Sequence, residues 1–418
     1  MSSFDRESNR RKFLQFLAAS PLAAYGAADG FAQGVSAPPK LADPVMWAPQ
    51  QFDKLITDPK QAINVFDFEP VARKNVPPAH FGYMASGIDD EVTLRANRQD
   101  FQKFQLRPRR LVDVSKVDMS VTLFGQKYDS PILLAPVGGQ RSFHADGEAG
   151  VARAAKAGNH LQILSTMTSD SVEDVIKDRG APIWFQLYAT NKWEVAEGLV
   201  KRAEKAGATV VAVTVDRNGG RNQETLARLR PTDTRDCSGC HDRSSFQNSL
   251  KGRVMFQGLD LSGLTNTQAS AMNWEFLKRL RGVTKMKIVL KGILAHEDAT
   301  LAVRNGMDGI IVSNHGARSE DSGRSTIDAL PEIVTAVKGR IPVVVDSGFR
   351  RGSDIVKALA MGANAVAVGR PYIWGLGAFG QPGVERVLEL LRVETKAMMQ
   401  QVGAPSIKDL KPAIVRRV

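Results

Sequence analysis

The chain has 418 residues, 43% of them hydrophobic and 24% charged, which is enough for one barrel-sized domain or two smaller ones and too apolar for a disordered protein. Its formal net charge of +12 points to an acidic partner, an anionic substrate or a membrane surface. No arginine-rich tract interleaves with aromatics, which argues against nucleic acid.

In chain order, Asn9-Arg10-Arg11-Lys12-Phe13-Leu14 precedes a modestly apolar stretch to Tyr25 and small residues through Gly30-Phe31-Ala32. This resembles a twin-arginine export signal covering residues 1–32, with cleavage after Ala32. The apolar part is too short for a stable membrane span. The implied destination is the periplasm, with a cytoplasmic or membrane-associated protein as the alternative. Residues 33–60, rich in Pro, Ala and Gln, read as a tether, and order is expected from about Ala62. An amphipathic pattern from Phe66 leads to Gly87, placed to end a helix in the left-handed conformation. Residues 92–127 read as an irregular segment with charged edges.

A rhythm then begins. Apolar runs at residues 131–137, 161–167, 182–188, 209–216, 287–293, 309–315, 342–348 and 365–371 alternate with helical stretches, among them an Ala-rich helix over 147–157 and one capped by Ser171. Strand–helix alternation on this scale predicts an α/β fold, a closed (β/α)8 TIM barrel over about residues 131–400 within a domain of 61–418. The longest interruption, residues 217–273, follows the fourth strand. A loop of that length at the catalytic face is usually functional or disordered.

The carboxyl ends of these runs carry the polar residues: Pro136-Val137-Gly138, Thr166, Gln186 and Tyr188, Thr214 and Asp216, Lys291, Ser313 with His315 and Arg318, Asp346 with Gly348 and Arg350, and Gly369-Arg370. In a barrel such residues converge on one mouth. Glycines beside arginines at the seventh and eighth ends suit a phosphate. No dinucleotide fingerprint follows the first strand, so a mononucleotide is expected.

Ser313-Asn314-His315-Gly316-Ala317-Arg318, with Tyr83-Met84-Ala85-Ser86-Gly87, Phe185-Gln186-Leu187-Tyr188, Asp346-Ser347-Gly348-Phe349-Arg350-Arg351-Gly352 and Gly369-Arg370-Pro371, resembles the FMN-dependent 2-hydroxy-acid dehydrogenases and oxidases, the group of glycolate oxidase, lactate oxidase and flavocytochrome b2. The resemblance covers about residues 62–415. It implies that His315 accepts the substrate proton with Asp216 as its partner, that Arg318 and Tyr83 bind the substrate carboxylate, and that Tyr188 lies by the reacting hydroxyl. Lys291 would stand by the electron-rich edge of the reduced flavin. Thr166, Gln186 and Thr214 would bond the ring, with Pro136, Val137, Gly138 and Ser313 around it, and Gly348, Arg350, Gly369 and Arg370 would take the phosphate. The family's second carboxylate-binding arginine is replaced by Gln223, which leaves Arg221 as the nearest substitute. Gly138 would add room beside the flavin, against Met167.

Both cysteines of the chain lie in Cys237-Ser238-Gly239-Cys240-His241, the spacing of a c-type haem site with His241 as iron ligand and Met255 as the nearest distal candidate. A periplasmic disulfide is the alternative. The expected activity is oxidation of a small, lactate-like L-2-hydroxy acid through FMN, with electrons passed to a cytochrome, a quinone or dioxygen. The alternative is a weakened flavin-binding relay protein. By resemblance the chain forms a homo-oligomer, a tetramer.

Overall fold

The computed structural model describes residues 55–217, 219–235 and 244–418, all within the unit Pro44–Val418. The two haem-candidate cysteines, Cys237 and Cys240, with His241 and the proposed signal, lie outside the described residues.

Three short strands precede the barrel: β1 (Phe104–Leu106), β2 (Val121–Leu123) and β3 (Gln126–Tyr128). The barrel strands are β4 (Ile132–Leu134), β5 (Ile163–Ser165), β6 (Trp184–Tyr188), β7 (Val210–Thr214), β8 (Lys287–Ile293), β9 (Gly309–Val312), β10 (Val343–Val345) and β11 (Ala365–Val368). They form one eight-stranded parallel sheet in the order β4-β11-β10-β9-β8-β7-β6-β5. A parallel bridge between Leu134 and Gln162 joins the two ends, so the sheet closes as a (β/α)8 barrel. Apart from β8, which covers its whole apolar run, each strand is shorter than its run, and after β4, β5, β7, β9, β10 and β11 the remaining residues of the run lead into the mouth.

The strands are buried on both faces, and their alternation sorts the side chains into two cores. Ile163, Trp184, Val210, Ala212, Val289, Ile311, Val344 and Ala367 fill the interior, while Leu164, Phe185, Val211, Leu290, Ile310, Val345 and Val366 face the surrounding helices. The hairpin of β2 and β3 plugs the bottom of the barrel: Leu123 and Tyr128 join the interior cluster, and the Phe124 ring lies 5.5 Å from that of Trp184. Residues 92–127 are therefore more ordered than expected.

The helices are α1 (Phe68–Asn75), α2 (Pro78–Ala85), α3 (Val92–Gln99), α4 (Gly147–Ala157), α5 (Val172–Arg179), α6 (Trp193–Ala206), α7 (Glu224–Leu229), α8 (Phe246–Lys251), α9 (Trp274–Arg281), α10 (His296–Arg304), α11 (Thr326–Val337), α12 (Gly352–Ala360) and α13 (Arg370–Val402), the last kinked at Phe379 and Gly380. The helix over 147–157 lies where the sequence predicts it, and the Ser171 hydroxyl caps α5 by accepting from the Asp174 N–H. Pro77 and Pro78 split the pattern between Phe66 and Gly87 in two, and α2 stops at Ala85 with Ser86 extended. Gly87 does not take the left-handed conformation expected of it. A Cβ there would lie 3.1 Å from the Ala317 carbonyl oxygen, so glycine is needed for close approach to the catalytic-face turn. The described structure begins before Ala62, with a 3-10 turn at Pro59–Gln61. Val415–Arg417 (β12) pairs antiparallel with β1 and ties the carboxyl terminus to the N-terminal extension.

Among the described residues no helix is long and apolar enough to cross a membrane, and no group of three or more His, Cys, Asp or Glu could hold a metal ion.

Candidate active site

Above the apolar interior, the next inward layer of the barrel is polar. Period-two alternation carries Ile163 to Ser165, Trp184 to Gln186, Ala212 to Thr214, Val289 to Lys291, Ile311 to Ser313 and Val344 to Asp346. These residues are wired together: the Ser165 hydroxyl donates to Gln186 Oε1 at 3.1 Å, Gln186 Nε2 to Thr214 Oγ1 at 2.9 Å, and Lys291 Nζ to Ser313 Oγ at 2.8 Å. Lys291 Nζ also stands 3.4 Å from Asp346. Burial would pull the Lys291 ammonium below its ordinary range, but Asp346 and Asp216 outweigh it and hold the pKa above normal. A permanent cation sits at the floor of the mouth.

Thr166 is the exception among the expected ring contacts. Its hydroxyl donates to the Gln186 carbonyl at 2.6 Å and accepts from the Tyr188 N–H at 3.1 Å, so it is committed to the backbone of β6. Alternation from Leu161 and Ile163 points Ser165 inward instead, a signal present in the sequence. Pro136, Val137 and Gly138 line the cavity as expected. Gly138 does not add room: a Cβ there would meet the Met167 Cβ at 2.9 Å, so Met167 already fills that space.

His315 follows β9 in a tight turn in which His315, Gly316 and Ala317 have φ of 59°, 66° and 62°. Its N–H bonds the Ser313 hydroxyl at 3.0 Å. The ring is held from both sides, Nδ1 lying 3.0 Å from Asp216 Oδ1 and Nε2 lying 3.2 Å from the Tyr188 hydroxyl. A carboxylate accepts only, so Nδ1 carries the proton and Nε2 faces the cavity as the basic nitrogen. Burial lowers the His315 pKa to about 4, with Lys291 acting in the same direction and Asp216 opposing. The ring is therefore neutral at pH 7. Burial pushes Asp216 up, yet His315 and Lys291 keep it below its usual value.

Asp216 owes its position to β8. The register of β8 against β9 shifts between Lys291 and Ile293, and Gly292, at φ 112°, turns inside that irregularity. A Cβ on Gly292 would stand 2.5 Å from the Asp216 Cβ. The bulge thus aims Lys291 into the mouth and clears the ground for Asp216.

Arg318 donates to the Tyr83 carbonyl oxygen, and its guanidinium lies 4.4 Å from the centre of the Tyr83 ring. Arg221 reaches the same corner, with Nη1 3.4 Å from the Arg318 carbonyl oxygen. Sequence reasoning missed Arg217, whose guanidinium lies 5.1 Å from the centre of the Tyr188 ring. Tyr83 is 36% exposed. Burial raises its hydroxyl pKa, but Arg318, Arg221, Arg217 and Arg253 together bring it below the ordinary value.

The opposite side of the cavity is built for an anion. Gly348, at φ 85°, lies so close to α3 that a Cβ would be 1.9 Å from the Asn97 carbonyl oxygen. Arg350 and Arg370 are buried or nearly so, and no carboxylate among the described residues forms an ion pair with either. The Arg350 Nε has no hydrogen-bond partner, while Nη1 bonds the Phe349 carbonyl at 2.9 Å. Arg370 donates to the Met84 carbonyl at 2.9 Å and the Ser86 carbonyl at 3.2 Å. Burial, then Arg318, lowers the Arg370 pKa to about 9; burial, then Arg98 and Arg370, lowers Arg350. Two guanidiniums that repel each other, Arg350 buried and Arg370 partly buried, suit a multivalent anion between them. A phosphate is such an anion, and Gly369 at the end of β11 lines the same cavity. Residues missed in the sequence complete this side: Asn97 of α3 exchanges amide hydrogen bonds with Asn314 at 3.0 and 2.8 Å, and Arg98 pairs with Asp354 at 2.7 Å.

Fold and site together define a class: a (β/α)8 barrel whose mouth combines two arginines suited to a phosphate, a buried cation and a histidine hydrogen-bonded to a carboxylate. Comparison with known proteins gives the family. The FMN-dependent dehydrogenase family matches residues 72–417. L-lactate oxidase of Lysinibacillus sphaericus (strain C3-41) is 42% identical over 348 residues, 82% of this chain and 90% of that protein. Glycolate oxidase 1 of Oryza sativa subsp. indica is 42% identical over 366 residues, 84% of this chain and 94% of that protein. Among solved structures, a soluble mutant of the membrane-associated (S)-mandelate dehydrogenase from Pseudomonas putida superposes with a TM-score of 0.76 at 35% identity, covering 86% of this chain and all of that one. The chain belongs to the FMN-dependent dehydrogenase family and is an FMN-dependent oxidoreductase.

Proposed function

We propose that the enzyme oxidises an L-2-hydroxy acid to the 2-keto acid with His315 as the base. The observation that carries this reading is the His315 ring, fixed between Asp216 at 3.0 Å and Tyr188 at 3.2 Å, beside Arg318 in one cavity. The coarse activity, FMN-dependent oxidation of 2-hydroxy acids, follows from the family.

FMN, when bound, supplies the acceptor for the hydrogen and two electrons that leave the substrate carbon. Gly348, Arg350, Gly369 and Arg370 would hold its phosphate, and Ser165, Gln186, Thr214 and Lys291 its ring, with Lys291 balancing the negative charge that reduction brings. Arg318 and Arg221 bind the substrate carboxylate, so that Arg221 takes the part left open by Gln223. Tyr83 and Tyr188 donate to the carboxylate and the hydroxyl. His315 Nε2 removes the hydroxyl proton, and Asp216 stabilises the imidazolium that results. A bound carboxylate adds negative charge near the ring, which raises its proton affinity at the moment it is needed.

The acceptor belongs to the same proposal. The twin-arginine pattern at Arg10-Arg11 supports a periplasmic carrier, reached one electron at a time if Cys237 and Cys240 hold haem c. Met255, the nearest distal candidate by sequence, is buried in the main core. The relatives named as oxidases favour dioxygen as the competing acceptor. Anaerobic mixing with a panel of L-2-hydroxy acids should bleach the flavin band, and a band that persists with every acid would sink the reading. Oxygen uptake during turnover and a pyridine haemochrome spectrum distinguish the acceptors.

A further inference from the structure

A second cavity opens from the reaction mouth. Tyr83, Gly138 and Tyr188 line both, so the two cavities adjoin at these residues, beside His315 and Arg318. Arg217, Arg221, Arg230 and Arg253 also line the second. Among the described residues none of these four forms an ion pair with a carboxylate. Among the described residues the acids of the same loop are already engaged, Glu224 with Arg228 at 3.1 Å, Asp233 with Arg235 at 2.8 Å and Asp260 with Lys192 at 2.6 Å. Among the described residues the partners of Arg217 are neutral, the Tyr188 ring and the Gln268 amide oxygen, the latter 2.8 Å from Nε when the amide is oriented to satisfy both groups. Even with Arg318 and Arg221 assigned to the reacting carboxylate, Arg217, Arg230 and Arg253 remain.

Arg217, Arg221 and Arg253 are partly buried and Arg230 is exposed. Guanidiniums gathered on a partly closed pocket repel one another, the exposed one least because water screens it, and an entering anion relieves that repulsion. Burial and the charges of Arg217 and Arg318 lower the Arg221 pKa to about 10, which is consistent with that excess. An apolar side chain would leave the charge unanswered, whereas a second carboxylate would meet a planar fork. We infer that the side-chain pocket selects 2-hydroxy acids bearing a second carboxylate at the far end, a 2-hydroxydicarboxylate class. This rests on the oxidation proposed above and names its substrate.

The test is anaerobic flavin reduction and steady-state turnover of the FMN-loaded enzyme with L-malate and L-2-hydroxyglutarate against L-lactate and L-2-hydroxybutyrate. The expected kcat/KM favours the dicarboxylates by about tenfold or more at low salt, and the margin shrinks as ionic strength rises. Arg253→Met and, separately, Arg230→Met should each lower the dicarboxylate-to-monocarboxylate ratio several-fold, with the flavin spectrum reporting that the variant is folded. Equal or better turnover of the monocarboxylates, or a ratio unmoved in both variants, overturns the inference alone. Failure of every acid to bleach the flavin overturns it together with the oxidation reading.

Discussion

Asp216 lets one side chain be tested for two effects. It orients the His315 ring through a 3.0 Å contact and is the one group among the larger influences that raises the ring's proton affinity. Asp216→Asn should reduce kcat/KM by roughly 10²–10⁴-fold, the range a positioned base contributes, with FMN still bound as judged by absorbance. The pH profile adds a direction. The base works only when neutral, and burial depresses its pKa to about 4, so the acid limb of kcat/KM in the free wild-type enzyme should lie well below the usual imidazole value. Activity is present above that limb and lost below it. An acid limb near pH 6.5 or above would contradict the burial argument. Most of this site was legible from residue types at strand ends, since His315, Asp216, Lys291 and Arg318 all lie where the runs of β-branched residues stop. Arg217 was not, because the loop after β7 has no periodicity to say which way a side chain points.

At the level of elements, the irregularity in β8 does more than the strand's length suggests. Gly292 allows Lys291 and Asp216 to share the mouth, since a Cβ would stand 2.5 Å from the Asp216 Cβ. Gly292→Ala should therefore cost on the order of 1–3 kcal/mol in stability, from a side chain at φ 112°. It should also lower kcat by displacing Asp216. Chemical denaturation and turnover measure the two separately, and a variant with normal kcat would show that Asp216 does not depend on the bulge. An isolated glycine in a strand is a recognised mark of a bulge, so this feature could have been read from Lys291-Gly292-Ile293. The inward turn of Ser165 rather than Thr166 was equally available from alternation. The hairpin of β2 and β3 was harder to find, because its strands have three residues each, too few for a period to register.

For the molecule as a whole, the flavin site is a stability determinant. Among the described residues Arg350 and Arg370 have no carboxylate ion-pair partner, and a phosphate bound as proposed would offset their repulsion. A flavin-depleted preparation should melt at lower temperature than the FMN-loaded one, by an increment equivalent to about 2.7 kcal/mol at a hundredfold excess over Kd. Arg350→Met should remove most of the increment while leaving the flavin-free protein no less stable than flavin-free wild type, since an unpaired buried charge has been deleted. Calorimetry with and without FMN decides it. The barrel itself was evident from eight alternating runs, but the roles of α3 and the N-terminal extension were not. Asn97 and Arg98 reach the phosphate side only through contacts with residues more than two hundred positions away, with Asn314 and Asp354, and local sequence carries no record of such partners.

The seam of the barrel bears on when the protein is made ready. Closure depends on β11 pairing with β4, Val366 opposite Ile132 and Val368 opposite Leu134, and the two anion-binding arginines come just after β10 and β11. A nascent polypeptide still attached to the ribosome, with His315 already translated but residues from 365 onward unmade, has neither the seam nor the full phosphate grip. Flavin capture is therefore expected only after β11 and Arg370 have been made, and chains truncated before residue 365 should retain no FMN when purified.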